Sequence, residues 1–140
     1  MNIVDSSGWI EYFFGGSNAD FFSAAIEGTD KLLVPTICLY EVFKKANIVA
    51  DEARALQLVG QMKQGRVVDM TEDIALRAAL ISIKHTLPMA DSLILSTAYA
   101  HRAALWTQDE HFRGLENVNF KEARTTIKPL RSTAKNGSYK

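Results

Sequence analysis

Asn2-Ile3-Val4-Asp5-Ser6-Ser7-Gly8 places two β-branched residues directly before an acid and a run of turn-forming residues. The pattern predicts a short buried strand ending at Asp5, with a turn over Ser6, Ser7 and Gly8. A similar arrangement returns late in the chain, where Ala104-Leu105-Trp106-Thr107 precedes Asp109. Between these two ends, strand-like runs of three or four residues alternate with longer segments of helical spacing. Trp9, Ile10, Tyr12, Phe13 and Phe14 predict a helix stopping at Gly15-Gly16. Asn18 or Asp20 caps the next helix, which carries Phe21, Phe22, Ala25 and Ile26 and ends at Gly28.

A second strand over 32–34 leads through Pro35-Thr36 into a helix carrying Cys38, Leu39, Glu41, Val42 and Phe43. Asp51 caps a further helix with Ala55, Leu58, Val59 and Met62 on one stripe, closed by Gly65. A short strand at 66–68 follows. Thr71-Glu72-Asp73 then opens a helix in which the acids suit the macrodipole, and residues 85–88 break it. The segment from Met89 to Ala100 is apolar over much of its circumference, so it lies within the domain. Last strands are expected at 104–107 and, at a sheet edge, 117–120. Such alternation argues for an α/β fold with a mainly parallel sheet and helices on both faces. One domain is expected over residues 1–130, with a basic, flexible tail over 131–140.

Composition narrows the class. Hydrophobic residues make up 47% and charged ones 23%, so the chain is neither disordered nor fibrous. Its single cysteine, Cys38, has no internal disulfide partner and sits in an apolar run, which reads as a buried reduced thiol. The N-terminus enters a strand pattern with no basic leader, and no apolar run approaches about 18 residues. A cytoplasmic protein without a membrane span is therefore expected. The net charge is zero, yet residues 1–120 hold 15 acids and 10 Lys/Arg, whereas residues 121–140 hold 6 Lys/Arg and only Glu122. The body is thus −5 and the end +5, a balance that suits a cation-dependent site beside a segment able to touch phosphates or an acidic partner.

Four acids carry the functional reading. Asp5 and Asp109 follow strands; Glu41 and Asp91 lie near the starts of helices. In a parallel sheet all four fall at the carboxyl edge, where open sheets place ligands. Singly, each has an ordinary role as a cap, a dipole partner or, for Glu41, a partner of Lys44 or Lys45. Together they oppose one another: two carboxylates about 4 Å apart repel by roughly 4 kcal/mol at an effective dielectric near 20. Protonation or a hard cation relieves that repulsion, and oxygen-only ligands suit Mg²⁺ or Mn²⁺ and phosphate chemistry. Ser6 and Ser7 are expected to support Asp5. His111 reads as a surface or packing residue. Gly-rich phosphate loops, paired Cys/His zinc spacings and a Gly-x-Ser-x-Gly elbow are all missing from the sequence.

Three stretches make the chain resemble the PIN-domain ribonucleases, specifically VapC-type toxins. They are Ile3-Val4-Asp5-Ser6-Ser7-Gly8-Trp9-Ile10-Glu11-Tyr12-Phe13, Met89-Ala90-Asp91-Ser92-Leu93-Ile94, and Leu105-Trp106-Thr107-Gln108-Asp109-Glu110-His111-Phe112. Val34-Pro35-Thr36 leading to Glu41-Val42 adds a weaker match. The segment 85–89 departs from the group in having no Gly-containing approach to Asp91. The resemblance implies a compact α/β/α sandwich and Mg²⁺- or Mn²⁺-dependent RNA cleavage. Asp5, Glu41, Asp91 and Asp109 would form the acidic metal site, with Ser6 and Thr107 as supporting hydroxyls. It also implies a homodimer and a VapB-type antitoxin. Part of the aromatic surface of the first two helices is expected to meet the antitoxin or the second subunit, with core packing alone as the alternative. Lys44, Lys45, Arg102 and Arg113 are the candidates to bind RNA phosphates. A non-catalytic α/β binding module and a DNA-directed nuclease of the same family are the alternatives.

Overall fold

Ile3 and Val4 have no exposed surface, and burial of that kind contributes about 1.5–3 kcal/mol per side chain. They belong to β1 (Asn2–Val4), the middle strand of a five-stranded sheet in the order β3-β2-β1-β4-β5. The others are β2 (Leu32–Pro35), β3 (Arg66–Val68), β4 (Ala104–Thr107) and β5 (Val118–Phe120), and every neighbouring pair runs parallel. Ile3 stands between Leu33 and Leu105, so the central strands are apolar on both faces, as a sheet covered by helices requires. The computed structural model describes residues 1–124. The expected tail over 131–140 and the expected domain end at 130 lie outside the described residues.

Among the described residues six helices connect the strands: α1 (Ser6–Phe13), α2 (Ala19–Glu27), α3 (Thr36–Val49), α4 (Glu52–Met62), α5 (Glu72–His85) and α6 (Met89–Ala100). From β1 the chain steps outward to β2 and β3, then returns across the sheet to β4 and β5. Right-handed crossovers consequently put α1 to α4 on one face and the α5–α6 pair on the other. The direction of travel reverses between β1 and β4, and open parallel sheets bind ligands beyond the carboxyl ends of such a strand pair. Asp5 and Asp109 follow those two strands.

The sequence expectation of a turn after β1 is not what forms. Asp5 is extended (φ −74°, ψ 172°), and its carboxylate accepts a hydrogen bond from Gly8 N at 2.9 Å, so α1 begins immediately at Ser6. An N-cap of this kind contributes about 1 kcal/mol. Gly8 is also required sterically, because a Cβ there would lie 2.6 Å from Phe22 Cε1 and 2.7 Å from Val4 Cγ1. Asp51 and Thr71 cap α4 and α5 as expected, accepting from Arg54 N and Ile74 N. Asn18 stands at the cap position of α2 without capping it. Its side-chain amide donates instead to Gln108 Oε1 and Glu122 O, both at 3.0 Å.

Most of the early aromatic run is packing rather than open surface. Trp9 and Phe22 are buried, and Phe21 packs on Phe22 and Trp106 with ring centroids 5.0 and 5.1 Å apart. Cys38 is buried, and burial pushes its thiol far up. Large exposed apolar residues occur instead on α5, where Leu76, Leu80 and Ile83 recur at helical spacing. No described helix is long and apolar enough to cross a membrane.

Candidate active site

Each of the four acids is placed by its own element. Asp5 leaves β1 and caps α1; Glu41 is the sixth residue of α3; Asp91 is the third residue of α6; Asp109 follows β4 and caps the 3-10 turn Glu110–Phe112. All four line one open cleft of about 570 Å³ at the carboxyl edge of the sheet. Ser6, Ser7, Ile10, Glu11, Lys45 and Gln108 complete its walls.

Asp5 forms the floor. It is 2% exposed and surrounded by donors. Thr107 Oγ1 donates to Oδ2 at 2.8 Å, Gly8 N donates to Oδ1 at 2.9 Å, and Ser7 Oγ donates at 2.9 and 3.0 Å. Burial nonetheless outweighs these bonds and pushes the carboxyl from 3.8 up to about 7, with a further rise from the charge of Asp109. Thr107 works in two directions, since its oxygen also accepts from Asp109 N at 2.9 Å. One buried hydroxyl thus fixes the floor acid and the loop that presents the rim acid.

The rim is built from Asp91 and Asp109, whose side chains are 16% and 28% exposed. Desolvation, then the charge of Asp109, raises Asp91 to about 6, against the lowering effect of a hydrogen bond with His111; the charge of Glu41 adds to the rise. His111 Nδ1 lies 3.0 Å from Asp91 Oδ2 and 3.1 Å from Asp109 Oδ1. His111, read from the sequence as a surface or packing residue, is 53% exposed and stands beside both rim acids. The cause of this position is the turn after β4: Asp109 Oδ1 accepts from His111 N at 2.9 Å, and the buried Phe112 anchors the next position. A residue two after a capping Asp is folded back over the carboxylate, a signal that the sequence did carry.

The supporting residues differ in detail from expectation. Ser6 Oγ donates to Glu41 Oε1 at 2.6 Å, so Ser6 serves Glu41, while Ser7 and Thr107 serve Asp5. Glu11 and Gln108, not singled out from the sequence, are tied together across the cleft wall by a 3.2 Å hydrogen bond. Glu11 lies four residues beyond Ser7 and hence on the same face of α1. Among the basic candidates only Lys45 lines the cleft. Lys44 lies over the exposed Tyr40 ring at 5.8 Å. Arg113 pairs with Glu110 at 3.0 and 3.1 Å and stacks on Phe120. Arg102 precedes β4, at the opposite edge of the sheet from the acids.

The donor set suits a hard divalent cation. Four carboxylates from four elements face one cleft, and one ligand atom each of Asp91, Asp109 and His111 lies within 4.8 Å of the others. Asp91, Asp109 and His111 are the residues close enough to share an ion among the described ones, and Asp5 and Glu41 line the same cleft.

The PIN domain family model matches residues 3–118, and the chain belongs to that family. No curated protein matches the sequence. Among solved structures the fold is similar to a toxin–antitoxin complex from Klebsiella pneumoniae, with a TM-score of 0.72 and 24% identity over 85% of this chain and 96% of that one. It is also similar to VapBC2 from Rickettsia felis bound to a fragment of its promoter DNA, with a TM-score of 0.67 and 12% identity over 88% and 98% of the two chains. A third similar structure is VapC20 of Mycobacterium tuberculosis, a toxin that cleaves the sarcin–ricin loop. Its TM-score is 0.62, at 14% identity over 74% and 85%.

Proposed function

We propose that the chain is a Mg²⁺- or Mn²⁺-dependent endoribonuclease acting as the toxin of a toxin–antitoxin pair in the cytoplasm. The observation that carries this is the convergence of Asp5, Glu41, Asp91 and Asp109 on one open cleft at the β1/β4 reversal. A divalent ion held by these carboxylates would supply positive charge beside phosphate oxygens and lower the pKa of a neighbouring water. The chain's own part is orientation. Thr107 and Ser7 hold the Asp5 carboxylate, Ser6 holds Glu41, and Lys45 brings a cation to the cleft wall.

The cleft is open, which suits an unpaired RNA segment better than a small enclosed substrate. The similarity to structures of whole toxin–antitoxin complexes supports a VapB-type antitoxin and a homodimer as partners. The exposed residues Leu76, Leu80 and Ile83 of α5 offer apolar surface for such contacts. Incubating the purified protein with total cellular RNA in Mg²⁺, Mn²⁺ or EDTA, and mapping the cut ends, tests the activity. Cleavage is expected with either ion and not with EDTA, and Asp5→Asn or Asp109→Asn should abolish it. Equal cleavage by the double variant would refute the site. A parallel substrate carrying deoxyribose separates RNA cleavage from a DNA-directed reaction.

A further inference from the structure

The geometry points to His111 as a nitrogen ligand of the bound ion, which makes this site prefer a first-row transition ion over Mg²⁺. The inference rests on the metal-dependent reading above and concerns one atom, His111 Nδ1. That nitrogen stands 3.0 Å from Asp91 Oδ2 and 3.1 Å from Asp109 Oδ1. Neighbouring ligand atoms around an ion bound at about 2.1 Å are separated by roughly 3 Å, so the nitrogen has the spacing of an adjacent ligand to each carboxylate oxygen, and all three atoms lie within 4.8 Å of one another.

The ring is held there by the fold. Asp91 comes from α6 and Asp109 from the end of β4, so the imidazole joins acids contributed by two separate elements. Behind it the turn is pinned by Phe112, which is fully buried, and by the Phe112 N to Asp109 O bond of 3.0 Å. A side chain that is 53% exposed keeps this position because its backbone neighbours are fixed. Which nitrogen of the ring carries hydrogen depends on its tautomer. With the ion present, a neutral ring can offer the Nδ1 lone pair and keep its proton on Nε2.

Ligand chemistry then sets the preference. Mg²⁺ favours an all-oxygen shell rich in water, whereas imidazole nitrogen strengthens binding along the first transition series. A purely electrostatic role, in which protonated His111 stands between the acids and withdraws when the ion arrives, predicts no nitrogen contact.

Pulsed electron paramagnetic resonance of Mn²⁺ bound to the ion-free full-length protein separates these. Nitrogen coupling from a directly bound imidazole is expected in the wild type and lost in His111→Asn. Competition with Mg²⁺ should show the preference for Mn²⁺ reduced by about tenfold or more in that variant. Bound Mn²⁺ without nitrogen coupling, or coupling that survives His111→Asn, would overturn the inference and leave the carboxylate site standing. Failure of the wild type to bind Mn²⁺, or binding unchanged in Asp91→Asn with Asp109→Asn, would overturn both.

Discussion

The floor and the rim of the cleft are built from the same residue type and treated oppositely by the chain. Asp5 is sealed from water and receives hydrogen bonds from Ser7, Gly8 and Thr107. Asp91 and Asp109 stand partly open, with His111 Nδ1 within 3.0 and 3.1 Å of their oxygens. The chain therefore surrounds the floor acid with donors that come with the strand end and the cap, although burial outweighs them. It leaves most of the rim charge to be met from outside. The charge of Asp109 raises Asp91, so the pair works against the stability of a marginally stable domain rather than for it.

The largest effects should follow from removing the acids themselves. Asp109→Asn or Asp5→Asn is expected to lower metal-dependent RNA cleavage by at least about 100-fold, since losing even an indirect partner of a metal ligand costs 10–100-fold. Folding should be intact by circular dichroism. Comparable activity in either variant would show that the floor and rim do not act on one reaction.

The floor also has a pH signature of its own. Asp5 has a folded-state value of about 7 against an ordinary 3.8, so the folded protein prefers its protonated form. Stability of the ion-free protein should be full below about pH 4, fall as pH rises, and reach its lower plateau above about pH 7. The span corresponds to roughly 4 kcal/mol at most. Denaturant titrations from pH 4 to pH 8 should show this decline in the wild type, and in Asp5→Asn a smaller decline that ends near pH 6, where Asp91 titrates. A wild type that gains stability over that range would contradict the dominance of burial over the three donors.

Thr107→Val sharpens the comparison because this hydroxyl serves both halves. It removes a donor to Asp5 and an acceptor for Asp109 N. A loss of about 1–3 kcal/mol in stability is expected, together with reduced but measurable cleavage. Ser6→Ala, which touches only Glu41, should cost less in stability, about 1 kcal/mol.

The smallest effects concern charge outside the acids. Lys45→Ala should weaken RNA binding and reduce the salt slope by about 0.7 for one lost phosphate contact. Arg102→Ala, at the opposite edge of the sheet, should change neither. An equal loss in both variants would mean that RNA covers more of the molecule than this cleft.

The alternation of strands and helices was readable because each strand is a short β-branched or apolar run closed by turn or cap residues. The three central strands, the six helices and the edge position of β5 follow from that pattern. The four acids were readable as a group because parallel topology sends every strand end to the same edge. Three details were not readable. Ser6 and Ser7 are adjacent yet serve different acids, since neighbouring residues on a helix point about 100° apart. Asn18 is a good capping residue whose amide is taken by Gln108 and Glu122, contacts that lie about a hundred residues away in sequence. The facing of Lys44, Lys45, Arg102 and Arg113 depends on tertiary packing, which composition and spacing do not encode.

Melting the purified ion-free protein with and without Mg²⁺ or Mn²⁺ tests most directly whether the four carboxylates act as one cation site. At an ion concentration about 100 times the dissociation constant, the wild type should melt roughly 8 °C higher. Asp5→Asn combined with Asp109→Asn should melt above the wild type without ion and gain little on its addition. A wild type indifferent to both ions, with a double variant less stable than it, would show that these acids are ordinary structural caps.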